Sequence, residues 1–155
     1  GDLKPANVLF FERENCISVL VNDFEHMQPL DAYRKMLYES TALFGTHGYI
    51  PPEAYKEERK EEDRSIAASH PDIFSYGVLL ATLLKGQEPQ ISSSVQEQTA
   101  AMLNGAYRKY LTEGFSAEAP PVLVKIIDKC TKPLSYDRFQ SFAEILDKLY
   151  SCMQL

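Results

Sequence analysis

A mainly helical domain that carries a small β-hairpin near its start is the fold class that the sequence predicts. Three observations predict it: two short runs rich in β-branched and aromatic residues lie between positions 8 and 21, a helical texture takes over from about His70, and the composition suits a packed core. With 155 residues, 45% of them apolar and 25% charged, the chain fits one globular domain, 1–155, or a sizeable piece of a larger one.

The elements follow in order. "VLFF", a polar break "ERENC" and then "ISVLV" are short enough to be two strands joined by a turn. Residues 23–53 carry few periodic apolar positions, two glycines and several prolines, and are expected to form a long functional loop. "DIFSYGVLLATLLKG" is apolar on nearly every face, so it predicts a helix buried all round that stops at Gly86. Ser94 with Glu97 three residues on forms a capping box, and the helix it opens is expected to end at Asn104-Gly105. "APPVLVKIIDKC" spaces Leu123, Ile126, Ile127 and Cys130 at helical intervals, and "SFAEILDKLYSCM" does the same with Phe142, Ile145, Leu146 and Leu149. "KEERKEEDR" at 56–64 mixes signs without apolar residues and reads as a solvated insertion.

Charge and cysteine content narrow the function. Sixteen basic against 22 acidic residues leave a net charge of −6, which repels nucleic-acid backbones and anionic membrane faces. The most apolar segment, residues 73–84, is too short to span a bilayer, so no membrane insertion is expected. Cys16, Cys130 and Cys152 are odd in number, widely spaced and fit no zinc pattern, which favours free thiols and a cytoplasmic setting. His26, His47 and His70 have no neighbour at metal-ligand spacing.

The opening stretch, "GDLKPANVLF" with "VNDFEHM" after it, concentrates the chemistry. A turn near residues 12–15 would return the chain so that Asn7, just before the first strand, lies beside Asp23, just after the second. A carboxamide and a carboxylate at one end of a hairpin suit a hard cation such as Mg²⁺, which leaves its other positions to phosphate and water. Asp2 and Lys4 alternate on the loop leading there, a base and a phosphate-binding cation within reach of one substrate.

These residues carry a resemblance to the eukaryotic protein kinases. "D-L-K-P-A-N" resembles their catalytic loop, "D-F-E" their D-F-G magnesium motif, and "G-T-H-G-Y-I-P-P-E" the end of the activation segment. "D-I-F-S-Y-G" resembles the start of the buried central helix, and "C-T-K-P-L-S-Y-D-R-F" the stretch before the last helix. All five stand in family order and together span the chain.

The resemblance implies the helical carboxy-terminal lobe of a serine/threonine kinase that moves the γ-phosphate of ATP to a protein substrate. Asp2 would accept the proton of the substrate hydroxyl, Lys4 would neutralise charge on the transferring phosphate, and Asn7 and Asp23 would hold Mg²⁺. Leu9 would lie beneath the adenine ring. Thr46 and Tyr49 would belong to the substrate-facing activation segment, and Lys4 with Thr46 marks the serine/threonine type. Glu53 and Arg138 would tie that segment to the helical lobe as an ion pair, and Asp72 would hold the catalytic-loop backbone. Tyr38, Ser40 and Thr41 lie where relatives are phosphorylated.

The sequence also departs from the family. Gly1 stands in place of the usual arginine before the catalytic aspartate, and Glu25 replaces the glycine of D-F-G, losing its freedom to reach positive φ and adding a carboxylate near the metal site. No glycine-rich loop, strand lysine or partner glutamate precedes Asp2, so the chain is expected to be a fragment whose smaller amino-terminal lobe lies elsewhere in its parent, and to be inactive alone. Its hairpin and Leu9 would then be exposed. The alternative reading, motivated by Gly1 and Glu25, is a pseudokinase lobe that binds or scaffolds.

Overall fold

The computed structural model describes residues 1–25, 27–39, 45–55, 70–89, 92 and 94–153. His26, Ser40, Thr41 and the charged run at 56–64 lie outside the described residues.

The hairpin forms where the β-branched runs placed it. Strands β1 (Val8–Arg13) and β2 (Cys16–Val21) pair antiparallel, with Val8 opposite Val21 and Arg13 opposite Cys16. Glu14 and Asn15 make the turn, and Glu14 sits at φ 45°, a left-handed conformation costly for a residue with a Cβ. Large apolar side chains are exposed on both faces of this ribbon, Phe10 and Phe11 among them, and Ile17 retains 73% of its surface. Two strands alone are marginal in water, and this ribbon leaves its apolar side chains open to it.

The long loop expected over residues 23–53 is not irregular throughout. Helix α1 (Leu30–Glu39) occupies its middle, and a short 3₁₀ turn (Pro52–Tyr55) closes its end. Two residues one turn apart explain α1: Tyr33 and Leu37 insert into the main core beside Tyr49, Ile50 and Ala54, so tertiary burial holds a helix whose own apolar pattern is thin.

Helix α2 (Pro71–Lys85) is the spine of the fold. Proline stands at its first turn, where a missing N–H costs nothing, and Gly86 ends it at φ 66°. Ile73, Phe74, Val78 and Ala81 are buried, although Leu83 near the end emerges into solvent. Gly77 is required by packing: a Cβ there would lie 2.6 Å from the Cβ of Cys130 and 2.8 Å from Cγ2 of Thr131. That contact sets how closely α2 approaches α5 (Pro121–Cys130), whose Ile126, Ile127 and Cys130 are buried. Helix α3 (Val95–Leu103) opens on Ser94, whose Oγ accepts from the Glu97 amide at 3.4 Å, and stops at Asn104. Helix α4 (Ala106–Thr112), which the sequence pattern did not reveal, follows directly, with Gly105 at φ 82° making the corner and Tyr107 and Leu111 facing inward.

Helix α6 (Phe142–Met153) forms as expected but buries less of its apolar face. Ile145 is buried, while Phe142 and Leu146 stay 37% and 49% exposed. No helix among the described residues is long and apolar enough to cross a membrane. All three cysteines are free, with Cys130 in the core, where burial pushes its thiol up to about 12.

Candidate active site

The site is built where the hairpin meets the segment leading into the 3₁₀ turn. A short 3₁₀ turn (Pro5–Asn7) feeds β1, and the carbonyl of Asn7 accepts from the Asn22 amide at 2.8 Å, closing the open end of the ribbon. Asn7 and Asp23 therefore stand at the same end of the hairpin. Asn7 is buried, and its Nδ2 donates to the Asp2 carbonyl at 2.8 Å, which fixes the catalytic-loop candidate against the strand and leaves the amide oxygen for another partner. Asp23 sits at φ 65°, a conformation that aspartate tolerates better than most residues. Among the described residues only Glu14 and Asp23 combine a side chain with positive φ, so Glu25 needs no glycine-like backbone in this conformation.

Asp2 and Lys4 are joined directly. Lys4 Nζ donates to Asp2 Oδ2 at 2.7 Å and to Thr46 Oγ1 at 2.7 Å, while the Thr46 amide donates to Asp2 Oδ1 at 2.8 Å. Residues 42 and 44 positions apart thus converge on one carboxylate. Burial raises the Asp2 carboxyl pKa, but the bonds from Lys4 and Thr46 outweigh it and hold the group below its ordinary value. Asp2 is a carboxylate at neutral pH, a proton acceptor with a cation beside it.

Asp72, in the first turn of α2, reaches the same loop: the Gly1 nitrogen lies 3.3 Å from its Oδ1. A Cβ at Gly1 would stand 2.8 Å from that oxygen, so glycine permits this close approach. Leu9, opposite Leu20, is 40% exposed on the ribbon. A cleft of about 340 Å³ opens beside these groups, lined by Asp2, Leu3, Val21, Asp23, Phe24 and Met27 among others.

The segment after Thr46 is pinned from below. Ser75 Oγ donates to the Tyr49 carbonyl at 2.8 Å, and the Tyr107 hydroxyl donates to the Gly48 carbonyl at 2.8 Å. The Tyr49 hydroxyl donates to Glu88 at 2.6 Å, and burial with the nearby carboxylate pushes its pKa far above the usual tyrosine range. Glu88 and Tyr107 were missed in the sequence, since neither is near the loop in the chain and no local pattern marks them. Farther on, Arg138 donates to both oxygens of Glu53, at 2.9 and 2.7 Å, with each side chain 1% exposed. Arg138 also donates to the Lys132 and Pro133 carbonyls and lies 5.1 Å above the Phe74 ring.

No group of three or more His, Cys, Asp or Glu among the described residues could hold a metal unaided. One carboxylate and one carboxamide fit Mg²⁺ nonetheless, because that ion commonly takes few protein oxygens and completes its shell with phosphate and water. When bound it would neutralise phosphate charge; holding it would fall to Asn7 and Asp23.

Comparison with known proteins decides the family. Residues 1–151 align with the protein kinase domain family. The chain belongs to the protein kinase family. Similar proteins include a brassinosteroid LRR receptor kinase of Solanum lycopersicum, 37% identical over 92 residues, which are 59% of this chain and 7% of that protein. The protein brassinosteroid insensitive 1 of Arabidopsis thaliana is 38% identical over 88 residues, 57% of this chain and 6% of that protein. A calcium and calcium/calmodulin-dependent serine/threonine-protein kinase of Pisum sativum is 27% identical over 136 residues, 85% of this chain. The chain spans a small part of each relative, 24% of the Pisum protein at most among these three.

Proposed function

We propose that this chain is the helical lobe of an ATP- and Mg²⁺-dependent serine/threonine protein kinase, with Asp2, Lys4, Asn7 and Asp23 as its phosphoryl-transfer residues. The observation that carries the reading is Lys4 held between Asp2 and Thr46, because it sets a proton acceptor that lines the cleft in contact with a phosphate-binding cation. Phosphoryl transfer requires little covalent chemistry from the protein: positioning and charge stabilisation supply most of the rate. In this reading Asp2 orients the substrate hydroxyl and takes its proton. Lys4 meets charge on the transferred group, Asn7 and Asp23 hold the cation, and Leu9 supports the nucleotide base.

Thr46 belongs to the segment that meets the protein substrate, Tyr49 anchors that segment from the core, and the buried Glu53–Arg138 pair with Asp72 keeps it in register with the helices. The exposed ribbon bearing Leu9, Phe10 and Phe11 is where an amino-terminal lobe would sit, and without that lobe's phosphate-covering parts the isolated chain would be inactive. The free thiols favour a reducing, cytoplasmic setting. A second reading, a pseudokinase lobe used for binding, rests on Glu25 in the place of the metal-motif glycine.

Nucleotide binding separates the two. In the parent polypeptide, Mg²⁺-dependent binding of ATP that weakens at least tenfold in both Asn7→Ala and Asp23→Ala supports the enzyme. Binding that is absent, or indifferent to both changes, sinks it in favour of the binding lobe.

A further inference from the structure

Three lysines share a hollow that phosphoryl transfer leaves unused. Helices α5 and α6, with the stretch between them, enclose a cavity of about 290 Å³ lined by Lys125, Ile126, Lys129, Phe139 and Lys148. Lys125 and Lys129 stand one turn apart on α5 and so share a face, while Lys148 comes from α6. The Lys129 ammonium lies 4.2 Å from the centre of the Phe139 ring, which ties this side chain to the cavity wall. The floor is apolar, since Ile126 is fully buried and Phe139 is 6% exposed.

Charge sets this cavity apart. The chain carries a net charge of −6, yet among the described residues no carboxylate pairs with any of the three lysines. The acidic side chains close to them in sequence are engaged elsewhere or stand outside. Asp128 pairs with Arg108 and, at 3.0 Å, with Lys132, and Glu144 accepts from the Gln140 amide at 3.2 Å. Asp147, beside Lys148 in the chain, is exposed and lines no part of the cavity. Ammonium groups gathered without an anion repel one another, so a bound anion relieves that repulsion while the lysine stems and the Phe139 ring offer apolar contact. A lysine ammonium is a compact point charge suited to phosphate, and a dianion matches three cations better than a single charge does. The cavity is larger than inorganic phosphate alone would fill, which leaves room for an apolar body.

We propose that this cavity binds a small phosphomonoester with a ring-shaped or otherwise apolar body, its phosphate held by Lys125, Lys129 and Lys148 and its body set against Phe139, Ile126 and the lysine stems. The site is separate from the kinase chemistry, since α5 and α6 supply none of the residues assigned to phosphoryl transfer.

Lysine acylation by an N-hydroxysuccinimide ester, read residue by residue by mass spectrometry on the full chain, reports occupancy. Phenyl phosphate is the probe, at about 10 mM against a dissociation constant of about 1 mM, the affinity expected for a ligand of this size. Sodium chloride holds ionic strength constant across all samples, so general screening cannot imitate binding. Lys35 and Lys109, each 73% exposed and outside the cavity, are the references. Lys125, Lys129 and Lys148 should be acylated about tenfold more slowly with the probe, while the references change by less than about twofold. Lys129→Gln, a change at an exposed position, should cut the protection of Lys125 and Lys148 to less than about threefold. No protection at this concentration overturns the site, as does equal slowing at Lys35 and Lys109. So does protection of Lys125 and Lys148 that Lys129→Gln leaves intact, because the lysines would then act singly. Equal protection by inorganic phosphate or by benzoate would refute a ligand that needs both dianion and ring. Protection by phosphatidylcholine vesicles carrying phosphatidic acid, but not by phenyl phosphate, would overturn it in favour of a membrane surface.

Discussion

Replacing Arg138 with methionine is expected to be among the most damaging single changes in this chain. The guanidinium makes two charge-assisted hydrogen bonds to Glu53, at 2.9 and 2.7 Å, inside a site where both side chains are 1% exposed. Methionine fills much of the volume but leaves the Glu53 carboxylate in low dielectric without the guanidinium charge that balances it. Breaking a buried pair from one side costs about 3–5 kcal/mol, against a total stability of about 5–15 kcal/mol for a domain of ordinary size. The Lys132 and Pro133 carbonyls lose a donor as well. Urea unfolding followed by far-UV circular dichroism should show the midpoint falling by more than about 1 M, given a dependence of about 1–3 kcal/mol per molar urea. Glu53→Met in the same chain should restore about 2 kcal/mol, because the stranded charge is gone. A loss under about 1 kcal/mol for Arg138→Met, or a second change whose cost simply adds, would show that the buried Glu53 charge stripped of its guanidinium does not dominate the loss.

Three further outcomes follow from other parts of the structure. The Asp2 carboxyl should titrate below its ordinary value in carbon-detected NMR, so its stabilising contribution is full above the unfolded value near pH 4 and is lost as pH falls through the lower folded value; Thr46→Val should move the midpoint upward, and a midpoint at or above the ordinary value contradicts the network. Gly77→Ala should cost at least about 1–3 kcal/mol, measured by thermal unfolding, because the added methyl would meet Cys130 and Thr131 at 2.6 and 2.8 Å in the packed α2–α5 contact; a neutral result would mean that the helices separate freely there. Glu14→Gly should stabilise the chain by roughly 1 kcal/mol in the same assay, by relieving a side chain at φ 45°, and a loss of stability would show the turn strain to be misjudged.

The parts of the fold legible in the sequence are those whose signal is local. β-branched runs and a polar break define the hairpin, Gly86 and the Ser94 cap mark helix ends by backbone chemistry, and α5 repeats apolar residues at helical spacing. Helix α1 reads as loop in the sequence because Tyr33 and Leu37 alone are fully buried, with Met36 and Tyr38 only partly so, and the residues they pack against, Tyr49 to Ala54, lie beyond it in the chain. Helix α4 is seven residues long, less than two full turns of pattern, so Tyr107 and Leu111 give no period to recognise. On α6 the pattern promises more burial than the structure delivers, since Phe142 packs only edge-on against His70 and Tyr76 and Leu146 stays 49% exposed despite sharing the apolar spacing of Ile145. Within the site, the hairpin geometry explains why Asn7 and Asp23 stand together. The convergence of Thr46 on Asp2 and of Glu88 on Tyr49 depends on tertiary folding across 44 and 39 positions, which no local pattern encodes.

Asp2, Lys4, Asn7 and Asp23 are proposed to form a phosphoryl-transfer site. The most direct measurement is transfer of labelled γ-phosphate from ATP to serine- and threonine-containing peptides by the parent polypeptide, with and without Mg²⁺, beside Asp2→Asn and Asp23→Ala. Mg²⁺-dependent transfer should fall at least a hundredfold in each variant while both remain folded. Transfer that survives either change, or a folded parent that transfers nothing under any of these conditions, would contradict it.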